Sequence, residues 1–248
     1  MKTERRTPKA CFVDNKYCPG CGHGIANRLV AEVLEESGLD KVAIGAIAVG
    51  CASLMPDTFN IDCVQAQHGR AAAVAVGLKR CRPECAVFTY QGDGDALAIG
   101  FSETLWAAIR NELITVIFVN NGNFGMTGGQ MAPTTLENQR TTTSPHGRDV
   151  HTTGRPLDIV EMLKGLGVAY LARGSLTSNA EILKTKHYIA SAFDAQRKGL
   201  GYSFVEILSP CPTNWGMEPL AAMKHIGDVV KSIYPLGEFT KKEGLRDA

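Results

Sequence analysis

Two runs decide how this sequence folds: AVFTYQGDGD over Ala86–Asp95 and ITVIFVNNGN over Ile114–Asn123. Each begins with an apolar stretch rich in β-branched and aromatic residues, as expected of a strand buried on both faces. The first ends in Gly92-Asp93-Gly94-Asp95 and the second in Asn120-Asn121-Gly122-Asn123, and between them Ala96 to Arg110 reads as a helix. Strand, helix and strand in this order form a right-handed parallel crossover, which sets the two strand ends side by side at one rim of a sheet. Asp93 and Asn121 are therefore expected to meet there.

Two hard oxygen ligands beside a helix N-terminus suit Mg²⁺ and a diphosphate. Asp93 offers a charged oxygen, Asn121 a neutral side-chain carbonyl, and Asn123 its main-chain carbonyl. Gly92 and Gly94 allow a backbone approach that a Cβ would block. The free N–H groups at the start of the helix favour phosphate charge.

Working outward, Gly22–Ser37 has helical periodicity, Val42–Val49 reads as a buried strand, and Gly69–Lys79 as an Ala- and Val-rich helix. Residues 124–156 carry little periodicity and much Gly, Thr and Pro, and a loop this long inside a domain is usually functional. A helix over Leu157–Leu166, a strand over Val168–Leu171, a helix over Asn179–Arg197 and a strand over Tyr202–Leu208 follow. The alternation predicts an α/β fold of three layers around a mainly parallel sheet. One domain is expected over 1–248, with an N-terminal arm 1–17 and a C-terminal tail 213–248 holding one helix, Pro219–Ile233. The chain has 248 residues and a net charge of +1, which points to neither nucleic acid nor membrane. The longest uncharged apolar stretch, Val42–Pro56, is glycine-broken and too short to span a bilayer. Lys2, Arg5, Arg6 and Lys9 are followed by no apolar run, so no secretory signal is read and a cytoplasmic protein is expected.

Eight cysteines are many for such a domain. Without an export signal, metal ligation is a better reading than disulfides. Cys18 and Cys21 form a CxxC before the first helix, Cys51 follows the first strand, and Cys211 follows the last. The latter two fall on the rim predicted for Asp93 and Asn121. Four thiolates so placed suit an iron–sulfur cluster or Zn²⁺. Cys11, Cys63, Cys81 and Cys85 read as small buried side chains.

Gly-Asp-Gly at 92–94 and Asn-Asn at 120–121, separated by residues 95–119, resemble the thiamine diphosphate signature. With YCPGCGHG (17–24), VGC (49–51), HGRA (68–71), GMTGGQMAPTT (125–135), SPCPTNWG (209–216) and YPLG (234–237), the chain resembles the thiamine diphosphate-binding β subunit of 2-oxoacid:ferredoxin oxidoreductases, most of all its branched-chain 2-oxoisovalerate members. The resemblance implies a [4Fe–4S] cluster on Cys18, Cys21, Cys51 and Cys211, and Mg²⁺ on Asp93, Asn121 and Asn123. It implies cofactor contacts from Cys51, Ser53, His68, Gly92, Asp93, Gly94, Asp95, Asn121, Asn123, Gly125, Met126 and Thr127. His68 is the one residue of this chain placed by the family near the reacting centre.

The implied activity is coenzyme A-dependent oxidative decarboxylation of a 2-oxoacid to an acyl-CoA and CO₂, with electrons passed to ferredoxin. The carboxylate that activates thiamine is expected on an α-type partner subunit, since Glu103 and Glu112 read as structural or solvated. A ferredoxin-like subunit is also implied, and Arg5, Arg6, Lys241 and Lys242 are candidate contacts for an acidic carrier, though they read more simply as solvated charge. The resemblance puts Leu54 and Met55, after Cys51, near where the substrate side chain would sit; with no Lys or Arg in this stretch, an apolar side chain is favoured over a dicarboxylic acid. Pyruvate- and 2-oxoglutarate-specific members remain alternatives. So do a non-redox thiamine decarboxylase with structural Zn²⁺ and a zinc-stabilised assembly module.

Overall fold

The computed structural model describes residues 7–11 and 15–245; Arg5, Arg6 and part of the expected arm lie outside them. In chain order the elements are α1 (His23–Glu36), β1 (Ala43–Ile47), a 3-10 turn (Cys51–Leu54), β2 (Asp62–Gln65), α2 (Ala71–Cys81), β3 (Ala86–Gly92), a π turn (Gly94–Ile99), α3 (Phe101–Ile109) and β4 (Thr115–Asn120). There follow a small hairpin of β5 (Asn123–Phe124) and β6 (Gln130–Met131), α4 (Val150–Thr153), α5 (Ile159–Lys164), β7 (Tyr170–Ser175), α6 (Asn179–Arg197) and β8 (Ser203–Leu208). The chain ends in α7 (Pro212–Trp215), α8 (Pro219–His225), which runs through a π turn into α9 (Lys231–Ile233), and β9 (Gly237–Lys241).

Seven strands form one sheet in the order β2-β1-β3-β4-β8-β7-β9, parallel except for β9. Side chains alternate across it as strand geometry requires. Phe88, Tyr90, Ile117, Val119, Val205 and Ile207 face α1 and α6. Val87, Val116, Phe118, Leu171 and Phe204 face α2, α3 and α5. The predicted three-layer α/β fold is present. The chain steps outward from β1 to β2 and then returns to the other side of β1 with β3, so strand order reverses between β1 and β3. Ligands of open α/β sheets bind beyond the carboxyl ends of the strands at such a switch point. Cys51 follows one of these strands and Asp93 the other.

Four elements differ from the sequence reading. The motif helix does not start at Ala96. It opens as a π turn, closed by the Gly100 N–H on the Asp95 carbonyl at 2.8 Å, before α3 begins. The cause is a close backbone crossing: a Cβ on Gly100 would lie 2.3 Å from the Gly69 carbonyl, and Gly69 itself has φ +78°. Strand β7 lies at Tyr170–Ser175 rather than Val168–Leu171 because it carries a buried arginine that no hydrophobic pattern reveals. Arg173 is buried between Glu206 (2.6 Å) and Asp158 (2.5 Å). β2 is an exposed edge strand without apolar alternation, and β9 draws the expected tail into the sheet. Lys241 pairs with Tyr170 at the start of β7, and the Lys242 N–H bonds Ala169. Both lysines therefore sit at the rim opposite the carboxyl ends of the strands.

Within the long loop 124–156 one side chain gathers several carbonyls. Arg148 is buried, and its guanidinium donates to the carbonyls of Ala132, Pro133, Thr135, Thr153, Gly154 and Arg155. Removing it leaves several buried acceptors without donors. Arg148→Ala should cost about 2 kcal/mol or more in urea unfolding. It should also quicken protease cleavage within 124–156; an unchanged midpoint and digest would show that the loop is held otherwise.

Candidate active site

At the carboxyl ends of β1, β3 and β4 lies an open cleft of about 410 Å³. Of the residues expected at the cofactor, Cys51, His68, Gly92, Asp93, Gly94, Asp95, Asn121, Asn123, Gly125, Met126 and Thr127 line it; Ser53 does not. The Ser53 hydroxyl turns back to the Gly50 carbonyl at 2.8 Å and closes the 3-10 turn. Neither Leu54 nor Met55 is among the lining residues, and Met55 is fully buried in the α1/α6 core. The apolar wall expected from them comes instead from Val49, Ala52 and Phe124.

Asp93 is buried at the base of the cleft. Its Oδ2 accepts from the Gly122 N–H (2.7 Å) and the Thr134 hydroxyl (2.5 Å), and its Oδ1 from the Gly94 N–H (2.9 Å). A carboxylate oxygen has two acceptor positions, so Oδ1 retains one for a cation. Burial pushes the Asp93 carboxyl up to about 6, against the hydrogen bonds that favour its charged form. A bound cation would restore that charge. The Asn121 side-chain oxygen accepts only a longer bond, from the Asn123 N–H at 3.2 Å. Thr135 and Trp215 hold this loop from outside, on the carbonyls of Gly122 (2.6 Å) and Asn121 (3.1 Å). Among the described residues no Lys or Arg lines the cleft. A diphosphate there would need a metal ion, backbone N–H groups or a second polypeptide to balance its charge. A Cβ on Gly94 would lie 2.4 Å from the Phe124 ring, so glycine is required where the backbone meets this wall. The donor set fits Mg²⁺ and a diphosphate.

Asp95 lines the cleft as expected, and its side chain has a structural task there. Its carboxylate is spent on protein donors: His68 Nδ1 (2.5 Å), the Gly69 N–H (2.6 Å) and Gln91 Nε2 (2.8 Å). It fixes the His68–Gly69 turn. Since a carboxylate only accepts, the proton of a neutral His68 sits on Nδ1, leaving Nε2 as the basic nitrogen at the cleft.

The four expected cysteines come together by long-range packing. The Gly22 N–H donates to the Pro210 carbonyl at 3.3 Å, laying the CxxC segment on the segment before Cys211. A Cβ on Gly125 would lie 3.0 Å from the Cys51 sulfur and 3.5 Å from Asn121 Nδ2, so thiol and cofactor loop are neighbours. Burial first, then the charges of Cys211, Cys51 and Cys18, push the Cys21 thiol up to about 12. Burial, Cys211, Cys18 and Asp93 push Cys51 up to about 11. Thiols that raise one another in this way ionise together only around a cation. Among the described residues no group of three or more His, Cys, Asp or Glu side chains is close enough to hold a single metal ion.

Beside Val49, Gly50 and Ala52, two ring-bearing lining residues, His23 and Phe124, were not among the expected site residues. His23 is buried, with Nδ1 at 2.7 Å from the Tyr90 hydroxyl and its ring stacked on Tyr17, and burial lowers it to about 4, so it is neutral. Its only sequence signal was its place in the GHG after the CxxC. Phe124, edge-on to His68, follows the Asn-Asn loop directly. Glu103 and Glu112 are tied to Arg70 and Arg80 and lie away from the cleft, as expected.

The fold and this cleft define a thiamine diphosphate-binding domain. Residues 44–207 match the family model of the thiamine pyrophosphate enzyme C-terminal TPP-binding domain. The chain is 34% identical over 210 residues to the 2-oxoglutarate synthase subunit KorB of Archaeoglobus fulgidus, covering 85% of this chain and 74% of that one. It is 43% identical over 224 residues to the ketoisovalerate oxidoreductase subunit VorA of Methanothermobacter thermautotrophicus, covering 90% of this chain but only 47% of that protein. The chain thus spans about half the length of that relative. In structure it is similar, with a TM-score of 0.77 and 26% identity, to a 2-oxoglutarate:ferredoxin oxidoreductase from Magnetococcus marinus with 2-oxoglutarate, coenzyme A and succinyl-CoA bound, covering 98% of this chain and 87% of that one. The chain belongs to the thiamine diphosphate-binding subunits of the 2-oxoacid:ferredoxin oxidoreductases.

Proposed function

We propose that this chain carries thiamine diphosphate, Mg²⁺ and a [4Fe–4S] cluster in a cytoplasmic complex that oxidises a branched-chain 2-oxoacid, such as 2-oxoisovalerate, to its acyl-CoA and CO₂. Electrons leave to ferredoxin or a ferredoxin-like subunit. The observation that carries this reading is the shared neighbourhood of Gly125, with the Cys51 sulfur on one side and the Asn121 amide on the other. A redox centre and an organic cofactor that exchange single electrons need such closeness.

Thiamine diphosphate supplies the carbanion chemistry when bound. Asp93, Asn121 and the Asn123 carbonyl would hold Mg²⁺. The N–H groups that open the π turn, with Thr127, would meet the diphosphate, and His68 Nε2 is placed to move a proton. Cys18, Cys21, Cys51 and Cys211 would hold the cluster. A single tetrahedral Zn²⁺ would need its sulfurs about 3.8 Å apart, from bonds of about 2.3 Å. Among the described residues no set of three or more side chains is close enough for one ion, which weighs against a Zn²⁺ site. The lining carboxylates, Asp93 and Asp95, are both engaged, which supports a partner chain as the source of the activating glutamate. The apolar lining from Val49, Ala52 and Phe124, the absence of Lys and Arg among the described lining residues, and 43% identity to a ketoisovalerate oxidoreductase subunit support an apolar substrate.

The complex purified without oxygen should be brown and contain iron, thiamine and magnesium. Its kcat/KM for 2-oxoisovalerate should exceed those for pyruvate, indolepyruvate and 2-oxoglutarate by about tenfold or more. A colourless zinc protein would defeat the redox assignment, and a preference for 2-oxoglutarate would defeat the substrate assignment alone.

A further inference from the structure

The single turn α7, directly after Cys211, touches both halves of the site. Asn214 Nδ2 lies 2.8 Å from the Gly125 carbonyl, 3.4 Å from the Cys211 sulfur and 3.4 Å from Asn123 Oδ1. Next to it, Trp215 Nε1 donates to the Asn121 carbonyl. The Asn214 amide has two hydrogens. The shortest contact takes one for Gly125, which leaves the other for the sulfur and Asn123. As a neutral thiol, Cys211 can itself reach Asn123 Oδ1, at 3.9 Å. As an iron-bound thiolate it could only accept, and the N–H would then have a charged partner, which makes a stronger bond.

Resting on the reading that Cys211 binds the cluster, we propose that Asn214 is a positioning residue that donates an N–H to the Cys211 thiolate and raises the cluster's reduction potential. Reduction adds electron density that the sulfurs share. A donor aimed at one of them stabilises the reduced state more than the oxidised state. The same amide holds the Gly125 carbonyl, so the turn joins the electron acceptor to the cofactor loop without any intervening mobile segment. No element of the thiamine signature calls for a residue of this kind at 214.

The test is dye-mediated potentiometry, followed by electron paramagnetic resonance, on the anaerobic complex with its partner subunits. The signal lost in Cys211→Ala identifies the cluster of this chain. Asn214→Ala should make that cluster about tenfold harder to reduce, a midpoint ~59 mV more negative for one electron. Asn214→Asp keeps the shape, removes the donor and adds negative charge, so it should move the midpoint further the same way. It also keeps the proposal testable if the alanine variant loses its cluster. A wild-type midpoint in the aspartate variant would overturn the proposal, because a merely structural role would not move the potential. A wild-type complex with no reducible iron–sulfur signal would overturn the functional reading itself, and the proposal with it.

Discussion

Replacing Asp93 with Asn should abolish retention of thiamine diphosphate while leaving the cofactor-free chain folded. The carboxylate is the only charged oxygen among the proposed Mg²⁺ ligands, and among the described residues no lysine or arginine lines the cleft to hold the diphosphate in its absence. Affinity measured by calorimetry in Mg²⁺ should fall by at least about a hundredfold, roughly 2.7 kcal/mol. Stability should move far less, because the carboxylate is costly where it sits. Burial raises its folded pKa to about 6 from 3.8. For this group, stability is fully present below 3.8 and is lost as pH rises through about 6. The difference is on the order of 3 kcal/mol at most. In chelator, the wild-type chain should therefore melt higher on acidification through this window than Asp93→Asn does under the same change. The rise in melting temperature on adding Mg²⁺ and thiamine diphosphate should be larger at pH 7.5 than at pH 5, since protons compete with the cation. Retention of near-normal affinity by Asp93→Asn would show that the metal is held elsewhere.

Cys51→Ala should separate electron transfer from cofactor binding. The Cys51 sulfur lies against the cofactor loop at Gly125, and its thiol is coupled to Cys211 and Cys18. Without it the proposed cluster would lose the ligand that lies against the cofactor loop. Iron content and the broad absorption near ~400 nm should fall. Oxidation of the 2-oxoacid with a one-electron acceptor should drop by about a thousandfold or more. Thiamine diphosphate should still bind, because Asp93 and its donors are untouched. Release of CO₂ without an electron acceptor is the informative control. If both activities vanish together with the thiamine, Cys51 is a cofactor contact first and a cluster ligand second. If iron and colour remain, the cluster rests on other residues.

The two motif strands show how much of this site was legible beforehand. Their apolar runs, the glycines around Asp93 and the paired asparagines were enough to place Asp93 beside the Asn120–Asn123 loop, and the Asp93 carboxylate does accept the Gly122 N–H. The roles of residues in the neighbouring turns were less legible. Asp95 carries the same side chain as Asp93 two residues away, yet the π turn directs it at His68, Gly69 and Gln91. Met55 looked like a substrate wall and is core, because the 3-10 turn after Cys51 rotates it inward. Arg173 and Arg148 were invisible as structural residues, since a buried arginine breaks the very pattern by which strands and loops are read.

From its order of residues alone, the chain determined that it would form a three-layer fold around a mainly parallel sheet, with a carboxylate and a carboxamide at neighbouring strand ends. Periodicity and turn chemistry act over a few residues, and the right-handed crossover does the rest. Only the tertiary structure decided that the CxxC lies on the segment before Cys211, that Cys51 touches the cofactor loop, and that Asn214 bridges the two. Those neighbours are set by strand order at the switch point and by where loops cross the rim. The free energy that selects them comes from burying the whole sheet between its helices, a sum over distant residues that no local stretch contains.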